Sequence, residues 1–307
     1  MGKERDPGVF SIPICSDSDY IHDITHSLTG TRLAMCTSSQ SIIVWERSAD
    51  DWRPRSTITS AHNGPIWRLD WAHPEFGQII ASCSEDRSVA VWSERSTIQL
   101  QPSTAIEWKK RATLTDSAYA VTDVQFAPRI FGLKFAACSS DGSCRAYFAP
   151  DVLNLAYWEV EDLNTSDKVG CTALSWCPSD EIERICVTFQ NGSLSVFEKS
   201  SQWETIAHFQ VASKGSALKD CSWAPNICRD SEWIACCGDD STVEILSLRD
   251  RSLEHLHRIS TFTSPIWRVA WNLTATVLAI APESGVVQSW RLAGPTVLDW
   301  EKIDPSE

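Results

Sequence analysis

Positive charge is what this chain has least of. Its 27 Lys and Arg face 40 Asp and Glu, a formal net charge of −13 over 307 residues. Phosphate backbones are held by Lys and Arg that displace counterions, so nucleic acid is not expected as a direct ligand. An anionic membrane surface is disfavoured for the same reason. No stretch is apolar for long enough to span a bilayer. The start, Met1-Gly2-Lys3-Glu4-Arg5-Asp6, has no apolar core of the kind a secretory signal needs. Gly2 invites a reading as a myristoylation site, but Asp6 stands where that motif wants Ser or Thr. Together these absences point to a soluble, intracellular chain, in which the N-x-S/T triplets at Asn164, Asn191 and Asn272 are chance.

Motifs that carry chemistry are also missing. There is no nucleotide-binding glycine loop, no G-x-S-x-G and no metal-ligand spacing. Twelve cysteines include no C-x-x-C, and most replace a small apolar residue in an expected strand (Cys36, Cys83, Cys138, Cys186, Cys236) or sit close by one. Buried free thiols in a reducing compartment account for this better than a disulfide scaffold or a zinc site. His255-Leu256-His257 reads as an isolated surface pair. The expectation is a chain that is not an enzyme and binds no cofactor and no metal.

What the chain does have is a repeat. Ile66-Trp67-Arg68-Leu69-Asp70-Trp71, Ile79-Ile80-Ala81-Ser82-Cys83-Ser84 and Val89-Ala90-Val91-Trp92 are three short runs rich in apolar, β-branched and aromatic residues. Polar, turn-rich breaks separate them, and their length suits strands rather than helices. Comparable units begin at Ile21, Val121, Cys171, Leu218 and Ile266. Their third runs end at 45, 92, 147, 197, 246 and 290, spacings of 47, 55, 50, 49 and 44 residues. That period is close to the four-strand unit of a WD-repeat propeller blade with loop insertions added. Fourth strands are expected at Trp52 to Ile58, Trp108 to Leu114, Trp203 to Phe209 and Leu298 to Trp300, and the Ser93 to Ile106 insertion is expected to be a surface loop. The fold class is therefore all-β, a six-bladed propeller in a single domain over 1–307. Residues 1–20 form an N-terminal arm, 21–301 the blades and 302–307 a short tail.

Within the second unit, His62, Ser84 (or its neighbour Ser82), Asp86 and Trp92 supply the residue types that tie a WD blade's strands to its turn. Asp suits that turn because its carboxylate bonds nearby backbone N–H groups. These residues are read as structural rather than catalytic. Other units keep only part of the set: Gln40 in the first, Asn191-Gly192 in the fourth, Pro282-Glu283 in the sixth. At the third position of each unit's first strand stand Asp23, Arg68, Asp123, Ala173, Asp220 and Arg268. Either they line the top of a central channel where a peptide binds, or neighbouring blades simply satisfy each other's charges; the second is the plainer reading.

Six units leave the ring's closure open. Val9-Phe10-Ser11-Ile12-Pro13-Ile14 has the composition of one more strand, with Pro13 restricting it to an edge or a bulge. Either this segment joins a complete six-bladed ring, or it borders an open ring whose remaining strands come from elsewhere. The blade count alone does not choose.

Ala72-His73-Pro74-Glu75-Phe76-Gly77-Gln78 with Ala81-Ser82-Cys83-Ser84, together with Trp67-Arg68 and Trp267-Arg268-Val269-Ala270-Trp271-Asn272, resembles a specific family. It is the small open propellers shared by the nuclear-pore Y-shaped scaffold complex and the COPII vesicle coat. Phe126-Ala127-Pro128, Gly132-Leu133, Ala137 to Gly142, and Ala149-Pro150-Asp151-Val152 with Asn154-Leu155 and Trp158 resemble the Seh-type nucleoporin branch. The coat branch lacks the last element. The likeness extends over nearly the whole chain, although the sixth unit's turn, Ala281-Pro282-Glu283-Ser284-Gly285, departs from the usual Asp-containing form.

The resemblance implies the open closure: a ring completed by a blade inserted in trans from a helical scaffold nucleoporin, with Phe10, Ile12 and Ile14 as candidate partner-binding residues. It implies a scaffold subunit at the nuclear envelope among other Y-complex subunits. A related use is in the SEA/GATOR nutrient-signalling complex at the lysosomal or vacuolar surface. The alternatives are a COPII-type coat propeller or a peptide-reading WD-repeat adaptor, such as a histone or degron receptor.

Overall fold

Short strands, all but one of five to eight residues, with turn residues between them dictate a β architecture, and the chain adopts it. The computed structural model describes residues 19–48, 51–95, 107–163, 165, 168–179, 181–212, 215–226, 230–293 and 300–303. The Val9 to Ile14 segment and most of the Ser93 to Ile106 insertion lie outside these residues. Blade 1 is β1 (Ile21–His26), β2 (Arg32–Thr37), β3 (Ile42–Ser48) and β4 (Asp51–Ile58); blade 2 is β5 (Ile66–Trp71), β6 (Ile79–Ser84), β7 (Val89–Arg95) and β8 (Glu107–Leu114). Blade 3 is β9 (Val121–Phe126), β10 (Lys134–Ser139), β11 (Cys144–Phe148) and β12 (Glu159–Leu163). Blade 4 is β13 (Cys171–Trp176), β14 (Arg184–Phe189), β15 (Ser193–Lys199) and β16 (Trp203–Gln210). Blade 5 is β17 (Leu218–Trp223), β18 (Glu232–Gly238), β19 (Val243–Arg249) and β20 (Ser252–Ile259); blade 6 is β21 (Ile266–Trp271), β22 (Val277–Pro282), β23 (Gln288–Leu292) and β24 (Trp300–Lys302). Each blade is a four-stranded antiparallel meander, and the result is a six-bladed β-propeller.

The first strand of each blade lies innermost. Each carries a register shift between its first and third residues, seen at Ile21/Asp23, Ile66/Arg68, Cys171/Ala173, Leu218/Asp220 and Ile266/Arg268, with the matching irregularity in blade 3 at Cys138/Ser139. A β-bulge of this kind leaves one residue out of the ladder and re-aims its side chain.

Apolar packing runs between blades rather than within them. Five clusters among the described residues each join two neighbours: blades 1 and 2, 2 and 3, 3 and 4, 4 and 5, and 5 and 6. The sixth, Leu33, Met35, Ile43 and Trp45 with Ile21 and Trp52 against it, is drawn from blade 1 alone. The second strands show the same asymmetry. β6 and β10 are buried at every position, whereas β22 alternates, with Leu278, Ile280 and Pro282 buried and Val277, Ala279 and Ala281 half-buried. Period-two burial of that kind marks a strand with one face covered.

The ten cysteines among the described residues are all buried and unpaired. Four of them, Cys36, Cys83, Cys138 and Cys237, form a belt, each paired with the third residue of its blade's inner strand. Burial pushes their thiols up in pKa, Cys36 to well above the ordinary range. Reactivity needs the thiolate, so these are packing residues.

His255 and His257 lie on β20. His255 is on the surface as expected but is not isolated: its Nε2 sits 2.8 Å from Oε2 of the buried Glu244, which Arg258 also meets.

Candidate functional site: the channel mouth and the seam between blades 1 and 6

The six bulges set one end of the channel. The residues they displace are His22, Trp67, Thr122, Thr172, Lys219 and Trp267, and all six line a cavity of about 800 Å³ at the channel mouth. His22 packs edge-on against Trp67 with ring centroids 4.7 Å apart, and the Lys219 ammonium lies 4.9 Å from the Trp267 ring centre. Burial lowers the His22 pKa, with Asp19 opposing that shift and Arg268 reinforcing it. The position one before the charged third residue thus supplies the mouth. The sequence reading weighed the third position only, because a bulge is not visible in an apolar pattern.

The third-position residues do something else. Asp23 Oδ2 accepts from Leu69 N at 2.9 Å, Asp123 Oδ2 from Leu174 N at 2.9 Å, and Asp220 Oδ2 from Val269 N at 3.0 Å. Each acid therefore caps the fourth-position amide of the next blade's inner strand. A second set works from the fifth position to the sixth: Asp70 accepts from Phe126 N at 2.6 Å, Gln125 from Trp176 N at 2.9 Å, and Ser175 Oγ from Trp223 N at 3.1 Å. Every seam from 1/2 to 5/6 holds at least one such side-chain bond to a neighbour's backbone.

Arg68 balances the acids. Its guanidinium lies 2.6 Å from Asp220 and 3.7 Å from Asp123. Burial works against its charge, but Asp123, Asp220 and Asp23 outweigh it and hold the arginine above its ordinary pKa. Burial pushes Asp123 up to about 6 in spite of Arg68, and Asp70 up to about 7 in spite of two backbone N–H bonds. These charges are thus met within the ring, by a neighbouring blade at Asp123 and more closely by the opposite blade at Asp220, which modifies the plainer of the two readings.

Blade 6 breaks the pattern on the side facing blade 1. Its third residue is Arg268, a donor, and its fifth is Ala270, which offers no acceptor. Arg268 Nη2 reaches His22 O at 3.5 Å and Nη1 reaches Trp267 O at 3.2 Å; no carboxylate among the described residues pairs with it. Ala281 takes the place that cysteine fills in blades 1, 2, 3 and 5 and Thr188 fills in blade 4. Burial changes at the same place. Ile24 is 48 % exposed, although Leu69, Val124, Leu174, Cys221 and Val269 at the equivalent place are each 5 % or less. Val287 is 63 % exposed, whereas its counterparts Ile42, Val89, Cys144, Leu194 and Val243 are 2 % or less.

Residues 52–93 match the WD domain, G-beta repeat, a span that begins in β4 of blade 1 and runs through β7 of blade 2. The chain is 37% identical over 298 residues to human Nucleoporin SEH1, covering 89% of this chain and 82% of that protein. To Nucleoporin SEH1 of Xenopus tropicalis it is 36% identical over 298 residues, with the same coverage. This chain belongs to the SEH1 family of nucleoporins. The Danio rerio member of that family is 35% identical over 297 residues, covering 89% of this chain and 81% of its own. One chain of a solved mitotic checkpoint complex superposes with a TM-score of 0.70 at 14% identity, covering 91% of this chain and 76% of that one, a likeness of fold alone.

The best-preserved repeat of this SEH1-family chain carries a connected hydrogen-bond chain. Trp92 Nε1 donates to Ser82 Oγ at 3.0 Å, Ser82 Oγ lies 2.7 Å from His62 Nε2, and His62 Nδ1 lies 3.1 Å from Asp86 Oδ2. Donors and acceptors run in one direction if His62 is neutral with its proton on Nδ1. Burial, the largest influence on His62, lowers its pKa, with Asp86 opposing. Asp86 is itself held below the ordinary carboxylate value, because hydrogen bonds from Ser88 and Asn63 outweigh its burial. Ser84 is not in this chain: its hydroxyl reaches Pro65 O at 2.8 Å and accepts from Asp86 N at 3.1 Å, tying the turn instead. Phe10, Ile12 and Ile14, the candidate partner residues, lie outside the described residues.

Proposed function

We propose that this chain is a non-enzymatic scaffold subunit of the nuclear-pore Y complex, whose ring is open between blades 1 and 6 and is completed by a blade inserted from a helical nucleoporin. The observation that carries this reading is the pair of bared apolar positions on the two sides of that seam, Ile24 and Val287, whose counterparts are buried elsewhere. Exposed strand edges beside apolar flanks are an aggregation hazard unless a partner covers them. Added strands satisfy the backbone and bury the flanks. The interface is expected to exceed the roughly 1,600 Å² of a standard complex. Residues 1–15, with Phe10, Ile12 and Ile14, border the inserted blade. Membership of the family supports a place at the nuclear pore; service in the SEA/GATOR complex at the lysosomal surface is a second use of the same seam.

Affinity purification of the tagged full chain, with partners identified by mass spectrometry, tests this reading. A helical nucleoporin recovered in stoichiometric amount, which raises the soluble yield on co-expression and is lost when residues 1–15 are deleted, supports it. A stable monomer that gains nothing from such a partner sinks it.

A peptide-reading adaptor is the second reading, favoured by the aromatic and cationic side chains that the bulges aim into the mouth cavity. Mass spectrometry that recovers only ligands released by a Trp267→Ala substitution favours it over the first.

A further inference from the structure

Three of the five seams within this chain are capped in one way, and that pattern predicts the chemistry of what enters the sixth. An aspartate at the third position of an inner strand always accepts the fourth-position amide of the next strand: Asp23 for Leu69, Asp123 for Leu174, Asp220 for Val269. In blade 2 the third position is arginine, and blade 3 answers it with an aspartate at its own third position. Arg68 in blade 2 is followed by Asp123 in blade 3, 3.7 Å away, and Asp123 passes its second oxygen on to Leu174 N. One carboxylate thus neutralises the arginine before it and caps the amide after it.

At the remaining seam both requirements stand without an answer. Arg268 holds the third position of blade 6 and pairs with no carboxylate among the described residues. Ile24 N–H, the fourth-position amide of blade 1, has no side-chain acceptor among the described residues. If β1 directly followed β21 as β9 follows β5, Asp23 would answer Arg268, yet the guanidinium makes no ion pair with it. Asp23 is instead engaged by Leu69 N on its other side.

We infer that the strand entering between blades 6 and 1 carries an aspartate or glutamate at the third position of its inner strand, which pairs with Arg268 and accepts from Ile24 N–H. This rests on the inserted-blade reading. It goes further by naming the residue type that the partner must present and the two groups of this chain that select it. A charged pair desolvated on assembly contributes strongly to holding register, because either group left alone in the closed seam is costly. The apolar flanks supply area; the arginine supplies selectivity.

The test uses the full chain and the helical partner recovered by the purification described above. Arg268→Glu is expected to weaken the complex at least about thirtyfold. Arg249→Glu, the same charge change on an exposed residue of blade 5, is expected to leave it unchanged. Reversing one acid in the inserted segment, Asp or Glu to Arg, is expected to restore binding to the Arg268→Glu chain. Arg268→Gln guards against misfolding: with its melting temperature within a few degrees of wild type, it still loses affinity, and the loss shrinks as salt rises. Equal binding by Arg268→Glu and wild type, or no acid in the inserted segment whose reversal rescues, overturns this inference and leaves the inserted blade standing. A wild-type chain that takes up no inserted segment overturns both.

Discussion

Arg68 and Asp220 meet across the channel, Nη2 donating to Oδ1 at 2.6 Å, although they are 152 residues apart in the chain and belong to blades 2 and 5. The bond is a strut between opposite sides of the ring. It also neutralises an acid that is already occupied with Val269 N. The stability of the seams therefore depends on one central cation.

Replacing Arg68 with Ala is expected to cost about 3–5 kcal/mol, because it leaves buried Asp123 and Asp220 without their counter-charge. Urea unfolding measures this. Asp220→Asn in the same background is expected to recover part of the loss, since one of the stranded charges is then gone. An Arg68→Ala chain as stable as wild type contradicts the strut.

The route of the hydrogen-bond chain in blade 2 is tested with two serines. Ser82→Ala removes the shared partner of Trp92 Nε1 and His62 Nε2, both buried, and is expected to cost about 2–3 kcal/mol. It should also shift the Trp92 indole N–H resonance. Ser84→Ala is expected to leave that resonance in place while loosening the turn. Identical indole shifts in both variants would place the chain elsewhere.

His62 makes stability depend on pH in a defined direction. Its folded-state pKa lies below the ordinary 6.5, so near and below that value the unfolded chain binds more protons than the folded one. Its contribution is complete above about 6.5 and is lost as pH falls. Melting temperatures between pH 5 and pH 7.5 should therefore drop toward acid, and His62→Gln should flatten the slope. A steeper slope in the variant refutes this assignment.

Asp70 acts in the opposite sense. Burial raises its pKa to about 7, so above that pH the folded chain carries a carboxylate held in an unfavourable place. Asn at this position keeps an acceptor for Phe126 N. Asp70→Asn is expected to raise the melting temperature at pH 8 and to change little at pH 5. Partial solvent contact through the channel keeps the gain small. A variant that melts lower at pH 8 than at pH 5, relative to wild type, shows the charge to be needed.

The turns between second and third strands each place one residue at positive φ: Gln40, Arg87, Gly142, Gly192, Ser241 and Gly285. A Cβ added at Gly192 would sit 2.6 Å from Ser216 O, so Gly192→Ala is expected to destabilise by well over the ~1 kcal/mol of the left-handed conformation alone. Arg87→Gly relieves that conformation and is expected to be neutral or mildly stabilising. Parallel denaturant titrations of the two variants make the comparison; equal effects would refute it.

Much of the architecture could be read in the sequence because the second and third strands of blades 1 to 5 are largely buried on both faces, and those of all six recur as apolar runs at a near-constant period. The outer strands of blades 3 and 5 escaped that reading: Glu159-Val160-Glu161-Asp162-Leu163 and Ser252 to Ile259 are mostly polar, since one face meets solvent. Ser82 and Ser84 share strand parity, so pattern does not separate them. Which one meets His62 depends on the cross-strand register that sets Ser82 opposite Ala90 and Ile80 opposite Trp92. The acids that cap a neighbour's amide were legible as charges, but their partners lie 46 to 51 residues away, beyond the reach of any local motif.

The belt of cysteines has a practical consequence. Cys36 and Cys237 point their sulfurs at the first carbonyl of the following blade, Ile66 O and Ile266 O, so each lies at a boundary between blades. A bulky alkylating reagent reaches such a thiol only after two blades part. Timed alkylation followed by peptide mapping therefore records which boundary separates first and how often, turning these thiols into a set of clocks distributed around the ring.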